Sequence, residues 1–418
     1  MAYETGFMKR RSKKIDPPFF LANLCLSALE GSPSYNDLAA RFHADYNISA
    51  SKQAFWKRAD ASCVLFLKTV LERVIIQKLN KDDSLAIKIC KQYNRVLVQD
   101  STIIKLPLRL FDVFSGVANG NTAVCNARIQ GVYDLVAGCF ISFSIDPYSK
   151  NDLTAAPELQ IQKGDLVLRD RGYSTYEEIR RHINSGSDCI YRHKFKSVYI
   201  EPLTQMNINL TALLIEKGDL DIVVCLPDNE RTKVRLIAKP VDPEIANLRR
   251  MKAKKEMRGH NPSPEVLFLM SWTIFITTIP KDQADFQQIL KLYKLRWRIE
   301  IIFKIFKSHM NFSKIHNVSE QQLNLILTAR FIMIVLCIHF IYKPYCILIA
   351  NIYNKQLSMI KFIHYLMKNS SVMVMTLKHH SNKISYLKNH LQSVVRYCTY
   401  EKRKRQNFND FLNELLLS

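Results

Sequence analysis

"RVLVQDSTIIKL", residues 95–106, is an apolar run broken near its centre by one carboxylate, Asp100. A strand buries alternate residues on its two faces, so an acid two residues after the run Val96, Leu97 and Val98 is costly unless something compensates it. The same pattern recurs in "GDLVLRDRGY" (164–173), where Leu166, Val167 and Leu168 lead into Asp170. Both carboxylates are therefore expected at strand ends in one sheet.

The segments around these runs read as a mixed sheet with helices. "NARIQGVYDLVAG" and "CFISFSIDP" are strand candidates, "NDLTAAPELQIQ" a short helix, "STYEEIRRHINSG" a helix closed by Gly186, and "DCIYRHKF" a further strand. Residues 197–280 look like a distinct piece: "LDIVVCLP", "TKVRLIAKPV" and "LMSWTIFITTIP" are strand-like, and "NLRRMKAKKEMRGHNPSP" is a basic helix or loop. Upstream, residues 17–90 read as short helices. There a helix with Leu38 and Phe42, the turn "NIS" and a second helix carrying Lys52, Gln53, Lys57 and Arg58 resemble a helix-turn-helix. A plain helical hairpin fits the same residues.

A third acid lies in "YKLRWRIEIIFKIFKSHM" (293–310). Read as one continuous helix, it gathers Tyr293, Arg296, Glu300 and Lys307 into an arc of roughly 60°, beside a flank of Leu292, Leu295, Ile299, Ile302, Phe303 and Phe306. Three carboxylates converging from two strands and a helix suit two Mg²⁺ ions, or Mn²⁺, which prefer oxygen and keep positions open for phosphate and water. Taken singly, each acid has an ordinary account. Asp100 can cap a turn with Ser101 and Thr102, Asp170 can pair with Arg169 or Arg171, and Glu300 can pair with Arg296 or Lys304.

Charge narrows the partner. The 418 residues hold 60 Lys+Arg against 37 Asp+Glu, a formal charge of +23, which points to a polyanion. Ten cysteines without a C-x-x-C pair read as buried thiols of a reducing compartment, and the absence of His/Cys ligand spacing argues against zinc. "MAYETGFMKRRSKK" precedes no apolar run of signal-peptide length, so secretion is not expected. "FIMIVLCIHFIY" (331–342) holds His339 and is short for a membrane span; it reads as a buried helix, and no membrane partner is expected. The "KRKR" near the C-terminus reads as a solvated face.

The residues Tyr293, Arg296, Glu300 and Lys307 complete a Y-x2-R-x3-E-x6-K signature, which on typical composition arises by chance in on the order of a few chains per thousand. With "VLVQDST" and "GDLVLRDRGY" upstream in the expected order, the chain resembles the DDE transposases of bacterial insertion sequences over roughly residues 30–340. The resemblance implies an α/β fold with a ribonuclease-H-like core interrupted by a β-rich insertion, between helical N-terminal and C-terminal regions. The corresponding boundaries are 1–92 for DNA binding, 93–196 for the first part of the core, 197–280 for the insertion, 281–330 for the catalytic helix and 331–418 for a basic helical region. It implies Asp100, Asp170 and Glu300 as catalytic metal ligands, and Tyr293, Arg296 and Lys307 as holding phosphates of the element's end. Trp272 falls where the family stacks a flipped base, a strand tryptophan in its own core being the other reading; Arg171 and Tyr173 either support the site or shape the turn. The implied function is cut-and-paste transposition of double-stranded DNA by a cytoplasmic, nucleoid-associated homodimer, by strand cleavage, a hairpin intermediate and strand transfer. The alternatives are a nuclease that cuts without joining and an inactive DNA-binding regulator.

Overall fold

The computed structural model describes residues 1–10, 14–79, 92–116, 123–256, 261–369 and 383–400. Cys90 and the basic tail 401–418 lie outside them. Chain order begins α1 (Pro17–Glu30), α2 (Tyr35–Tyr46), α3 (Lys52–Trp56), α4 (Ala61–Leu79), β1 (Arg95–Lys105), β2 (Asn126–Asp134), β3 (Cys139–Pro147), α5 (Asp152–Ala155), β4 (Asp165–Arg169), α6 (Tyr176–Ser185) and β5 (Asp188–Arg192). It continues α7 (Leu210–Lys217), β6 (Leu220–Cys225), β7 (Lys233–Pro240), α8 (Pro243–Glu256), α9 (Pro264–Leu269), β8 (Trp272–Thr277), α10 (Phe286–Lys294), α11 (Trp297–His309), α12 (Glu320–Leu336), α13 (Lys343–Tyr353) and α14 (Met359–Lys368), then a last helix over Lys383–Tyr397. The strands follow the order β3-β2-β1-β4-β5-β8-β7-β6. This is a mixed α/β fold with helices at both ends, and its β3-β2-β1-β4-β5 part is of the ribonuclease-H-like kind.

The described chain divides into two compact units, one of residues 1–87, 101–150 and 298–418, the other of 88–100 and 151–297. In the second unit β1, β4 and β5 run parallel, and β8, β7 and β6 add antiparallel pairs. Parallel neighbours need a crossover, and α6 supplies it between β4 and β5. Thr175 starts that helix by accepting from Glu178 N, and Gly186 ends it at φ +67°, a left-handed conformation that glycine adopts without steric cost. Strands expected to form a separate insertion are joined to this sheet: β8 pairs with β5 from Ile190↔Thr277 to Arg192↔Phe275. Their inward faces share one core with the second-aspartate region, in which Tyr173, Tyr191, Leu236 and Ile276 are buried together.

The first unit packs α1 and α4 against α12. The N-terminal helices are thus not a free-standing region, because α12 is apolar nearly all round and must be covered. Arg330 of α12, fully buried, donates to the carbonyls of Ala28, Gly31, Phe312 and Lys314 at 2.6–3.0 Å. Burial pulls its pKa down to about 10. The apolar run 331–342 belongs to a longer helical stretch, Glu320–Tyr353 with a π-helical turn at Cys337–Tyr342. It is long and apolar enough to cross a membrane, yet 83% of its most apolar window is buried inside the protein.

The predicted continuous helix 293–310 is two helices. α10 tightens at its end, where Leu295 N and Arg296 N bond to carbonyls three residues back, Leu292 O and Tyr293 O, at 3.0 and 3.1 Å, and α11 begins at Trp297. Tyr293 therefore lies in the last turn of α10, Arg296 in the connecting turn, and Glu300 and Lys307 in α11. In the first unit α11 packs on β2 by a close approach: a Cβ on Gly131 would stand 2.7 Å from Phe303 Cζ. Gly131→Ala is expected to cost about 1–3 kcal/mol through overpacking, read as a lower urea midpoint at unchanged slope. Gly31→Ala, where a Cβ meets nothing within 4 Å, should stay within about 0.5 kcal/mol of the parent.

Candidate active site

The β1–β4 ladder pairs Arg95 with Asp165 and ends at Gln99 with Arg169. Asp100 and Asp170 come next on neighbouring parallel strands, each one residue beyond the last pair, on the face shared with Val98 and Leu168. Asp170 follows the end of β4 as expected. Asp100 instead sits inside β1, which runs on to Lys105; what ends there is its pairing with β4.

The ordinary account of Asp170 does not hold. Arg169 points to the opposite face, fully buried, and is bound by Glu178, Tyr191 Oη at 3.3 Å and Ala156 O at 2.9 Å. Arg171 lies over the Phe195 ring at 5.7 Å. The half-buried Asp170 carboxylate makes no ion pair within 4 Å and accepts no side-chain hydrogen bond among the described residues.

Asp170 opens into a cavity of about 280 Å³, whose wall includes Arg171, Arg192, His193, Phe195, Arg249, Lys252, Glu256 and Trp272. Four cationic side chains there face two carboxylates. Arg249 donates to Trp272 O at 2.9 Å and to Thr273 Oγ1 at 3.2 Å; burial, then the neighbouring Arg192 charge, lowers its pKa. His193 shares a 2.7 Å hydrogen bond with Tyr199 Oη. Burial, then Arg171, depresses its pKa to about 4, so the ring is neutral at neutral pH. Trp272 begins β8 half-buried, with Phe268 at 6.3 Å.

Two signature residues join this group. Tyr293 is buried at 4% exposure, and its phenol is pushed up by burial, pulled down by Arg296, pushed up by Asp170 and pulled down by Arg192. The Arg296 guanidinium lies 5.6 Å from the Tyr293 ring and 5.8 Å from that of Trp297. Glu300 and Lys307 belong to the first unit; Glu300 is half-buried in the first turn of α11, and burial lowers the Lys307 pKa. Among the described residues no three His, Cys, Asp or Glu side chains are gathered at metal-binding distance. The adjacent aspartates, hard oxygen donors with one carboxylate unengaged, still fit a divalent cation.

Two expected DNA contacts are revised. Tyr173 is wholly buried under Arg169, whose guanidinium lies 5.6 Å from its ring, so it packs the core. Arg58 lies past the five-residue α3 and donates to Ala54 O at 3.1 Å, closing that helix. Lys57 also lies past the helix, though exposed, and Lys52 is exposed at its start. Sequence reasoning missed Arg192, His193 and Arg249, which come from two separated elements with no local motif, and Trp297, 52% exposed beside Arg296. A large aromatic next to a signature arginine was the available signal for Trp297.

A family model described as the transposase DDE domain matches residues 92–336, more than half of the chain. The chain belongs to this family. It is 26% identical over 388 residues to the transposase for insertion sequence element IS231F of Bacillus thuringiensis subsp. israelensis, covering 87% of this chain and 80% of that one. It is 24% identical over 386 residues to the transposase for IS1151 of Clostridium perfringens, covering 86% and 81%. A solved piggyBac transposase synaptic complex with hairpin DNA is a slight likeness, with a TM-score of 0.40 and 12% identity over 98% of this chain and 83% of that one. It is too weak to bear on a hairpin route. As a DDE transposase the protein is an enzyme acting on DNA.

The neutral His193 gives the fold a pH signature. Its folded pKa of about 4 lies below the unfolded value of about 6.5, so between these values the unfolded chain binds more protons. Stability should be full above pH 6.5 and fall as pH drops toward 4, by up to about 3 kcal/mol from this residue. Urea unfolding across that window should show a smaller loss in His193→Gln than in the parent.

Proposed function

We propose that the protein catalyses cut-and-paste transposition of an insertion sequence, with Asp100, Asp170 and Glu300 as its catalytic acids. The reading is carried by the unengaged Asp170 carboxylate, standing next to Asp100 and opening into a cationic cleft with an indole on its wall. A divalent ion, Mg²⁺ or Mn²⁺, held by these acids, singly or as a pair, supplies Lewis-acid stabilisation of charge on the phosphate. Arg192, Arg249 and Arg171 face the same space and suit a phosphate backbone, guanidinium being able to bind phosphate in bidentate fashion. Trp272 offers a ring on which a base can stack. Tyr293 and Arg296 are mostly buried, so their role is to hold and polarise the cleft wall as well as to meet phosphate; Lys307 supplies a further cation from α11. The partners are the element's terminal repeats and target DNA, bound by a homodimer that brings two ends together in the bacterial cytoplasm at the nucleoid. The hairpin route rests on the family resemblance.

Purified protein, Mg²⁺, duplexes carrying the element's terminal repeats and a target plasmid should give strand cleavage and joined products. Cleavage without joining would instead make the protein a nuclease, and neither product from a DNA-binding parent would make it a regulator. Asp100→Asn, Asp170→Asn and Glu300→Gln should each lower both steps by about a thousandfold or more while retaining DNA binding. Chelation with EDTA should abolish activity and added Mg²⁺ restore it. Full activity in Asp170→Asn would remove the proposed site.

A further inference from the structure

We propose that Trp56 is a DNA-reading residue of the N-terminal helices, the apolar contact at the centre of a basic face formed by α3. The inference rests on the reading of the chain as an enzyme that acts on its element's ends. α3 is short and one-sided. Phe55 is buried at 1% exposure and anchors the helix against Phe20 and Phe42, with ring centroids at 5.9 and 5.5 Å. The next residue, Trp56, is 61% exposed. Lys52 and Trp56 are one turn apart on one side of the helix, and Gln53 and Lys57 form the adjoining row, all of them exposed.

The charge around the indole selects the partner. From Tyr46 to Ala59 there is no acid and there are three cations. The flanking acids are engaged: Asp45 pairs with Arg41 at 3.3 Å, and Asp60 accepts from Ser62 Oγ and Cys63 N. A face with an exposed indole, an amide and two unshielded ammonium groups is matched by a duplex. Phosphates take Lys52 and Lys57, the Gln53 amide can read a base edge, and the indole packs on sugar, thymine methyl or an unstacked base. Ser51 holds the face in place, its hydroxyl accepting from Ala54 N at 3.3 Å, and Arg58 closes the helix behind it.

The test uses the full-length protein, a duplex carrying the terminal repeat that borders the coding region, and a mixed-sequence duplex as reference. Trp56→Ala should weaken binding to the repeat duplex by about 5- to 150-fold, the range of a lost aromatic–base or aromatic–sugar contact. Trp56→Phe should recover part of that affinity, and the thermal midpoint of both variants should match the parent, since the ring is exposed. Lys52→Ala with Lys57→Ala should instead lower the salt slope of log K by about two while weakening both duplexes; Trp56→Ala should leave the slope unchanged. Mg²⁺-dependent strand cleavage of the repeat duplex by the parent, followed beside the binding series, separates a failure of this inference from a failure of the catalytic reading. Repeat affinity within about twofold of the parent in Trp56→Ala would overturn the proposal, as would unchanged DNA affinity accompanied by loss of self-association, which would make the indole a protein contact.

Discussion

The register between β1 and β4 is the constraint on which the site depends. Side chains alternate with period two, so a slip of one residue would exchange the faces of Asp170 and Arg169. Both ends of β4 resist that slip. At its start Asp165 is paired across the ladder with Arg95, Nε to Oδ1 at 2.9 Å, and also accepts from Gln162 N at 2.7 Å. At its end Arg169 is held by Glu178 of α6 and by the Ala156 carbonyl. One five-residue strand is thus flanked by two acids of opposite status: Asp165, fully buried and compensated from within, and Asp170, left to be compensated from outside.

The Arg169–Glu178 pair has a cost as well as a use. Both groups are essentially out of solvent, where desolvation offsets much of the attraction. Arg181 adds donors to Glu178 and to the Leu159 and Ala156 carbonyls, so the charges are hydrogen-bonded as well as paired, the condition under which such a pair is tolerated. Its effect on the site is indirect. By occupying Arg169, one of the two arginines that adjoin Asp170 in sequence, the network withholds that counter-charge from the carboxylate, while Arg171 lies over the Phe195 ring.

Much of this was legible in the sequence because short-range rules governed it. Apolar runs fixed the strands, Gly186 stopped α6 as glycine does wherever φ must be positive, and the repeated acid after an apolar run marked Asp100 and Asp170. What escaped depends on contacts distant in the chain. The periodicity of 293–310 suits one helix, and nothing local reveals the tight turn at Leu295–Arg296. The strands of 197–280 looked independent because strand pairing with β5 is invisible to composition. Tyr173 could not be told from a surface tyrosine, since its burial comes from a core assembled out of β5, β7 and β8. Arg192 and Arg249 carry no motif; they matter because a strand end and a helix place them at one cavity.

That cavity is electrostatically incomplete on its own. Arg249 has its backbone and hydroxyl partners yet is lowered in pKa by burial and by Arg192, and no carboxylate within 4 Å pairs with Arg192 among the described residues. Like charges brought together at partial burial disfavour each other, a cost that the fold bears in the absence of a ligand. Meanwhile Asp170, on the same wall, lacks a cation of its own, although guanidinium groups line the cleft. A folded protein that wanted only stability would let these opposite charges meet. Keeping them apart leaves on one wall the anionic oxygen and the fixed positive charge that the proposed binding of a divalent cation and a phosphate chain would use.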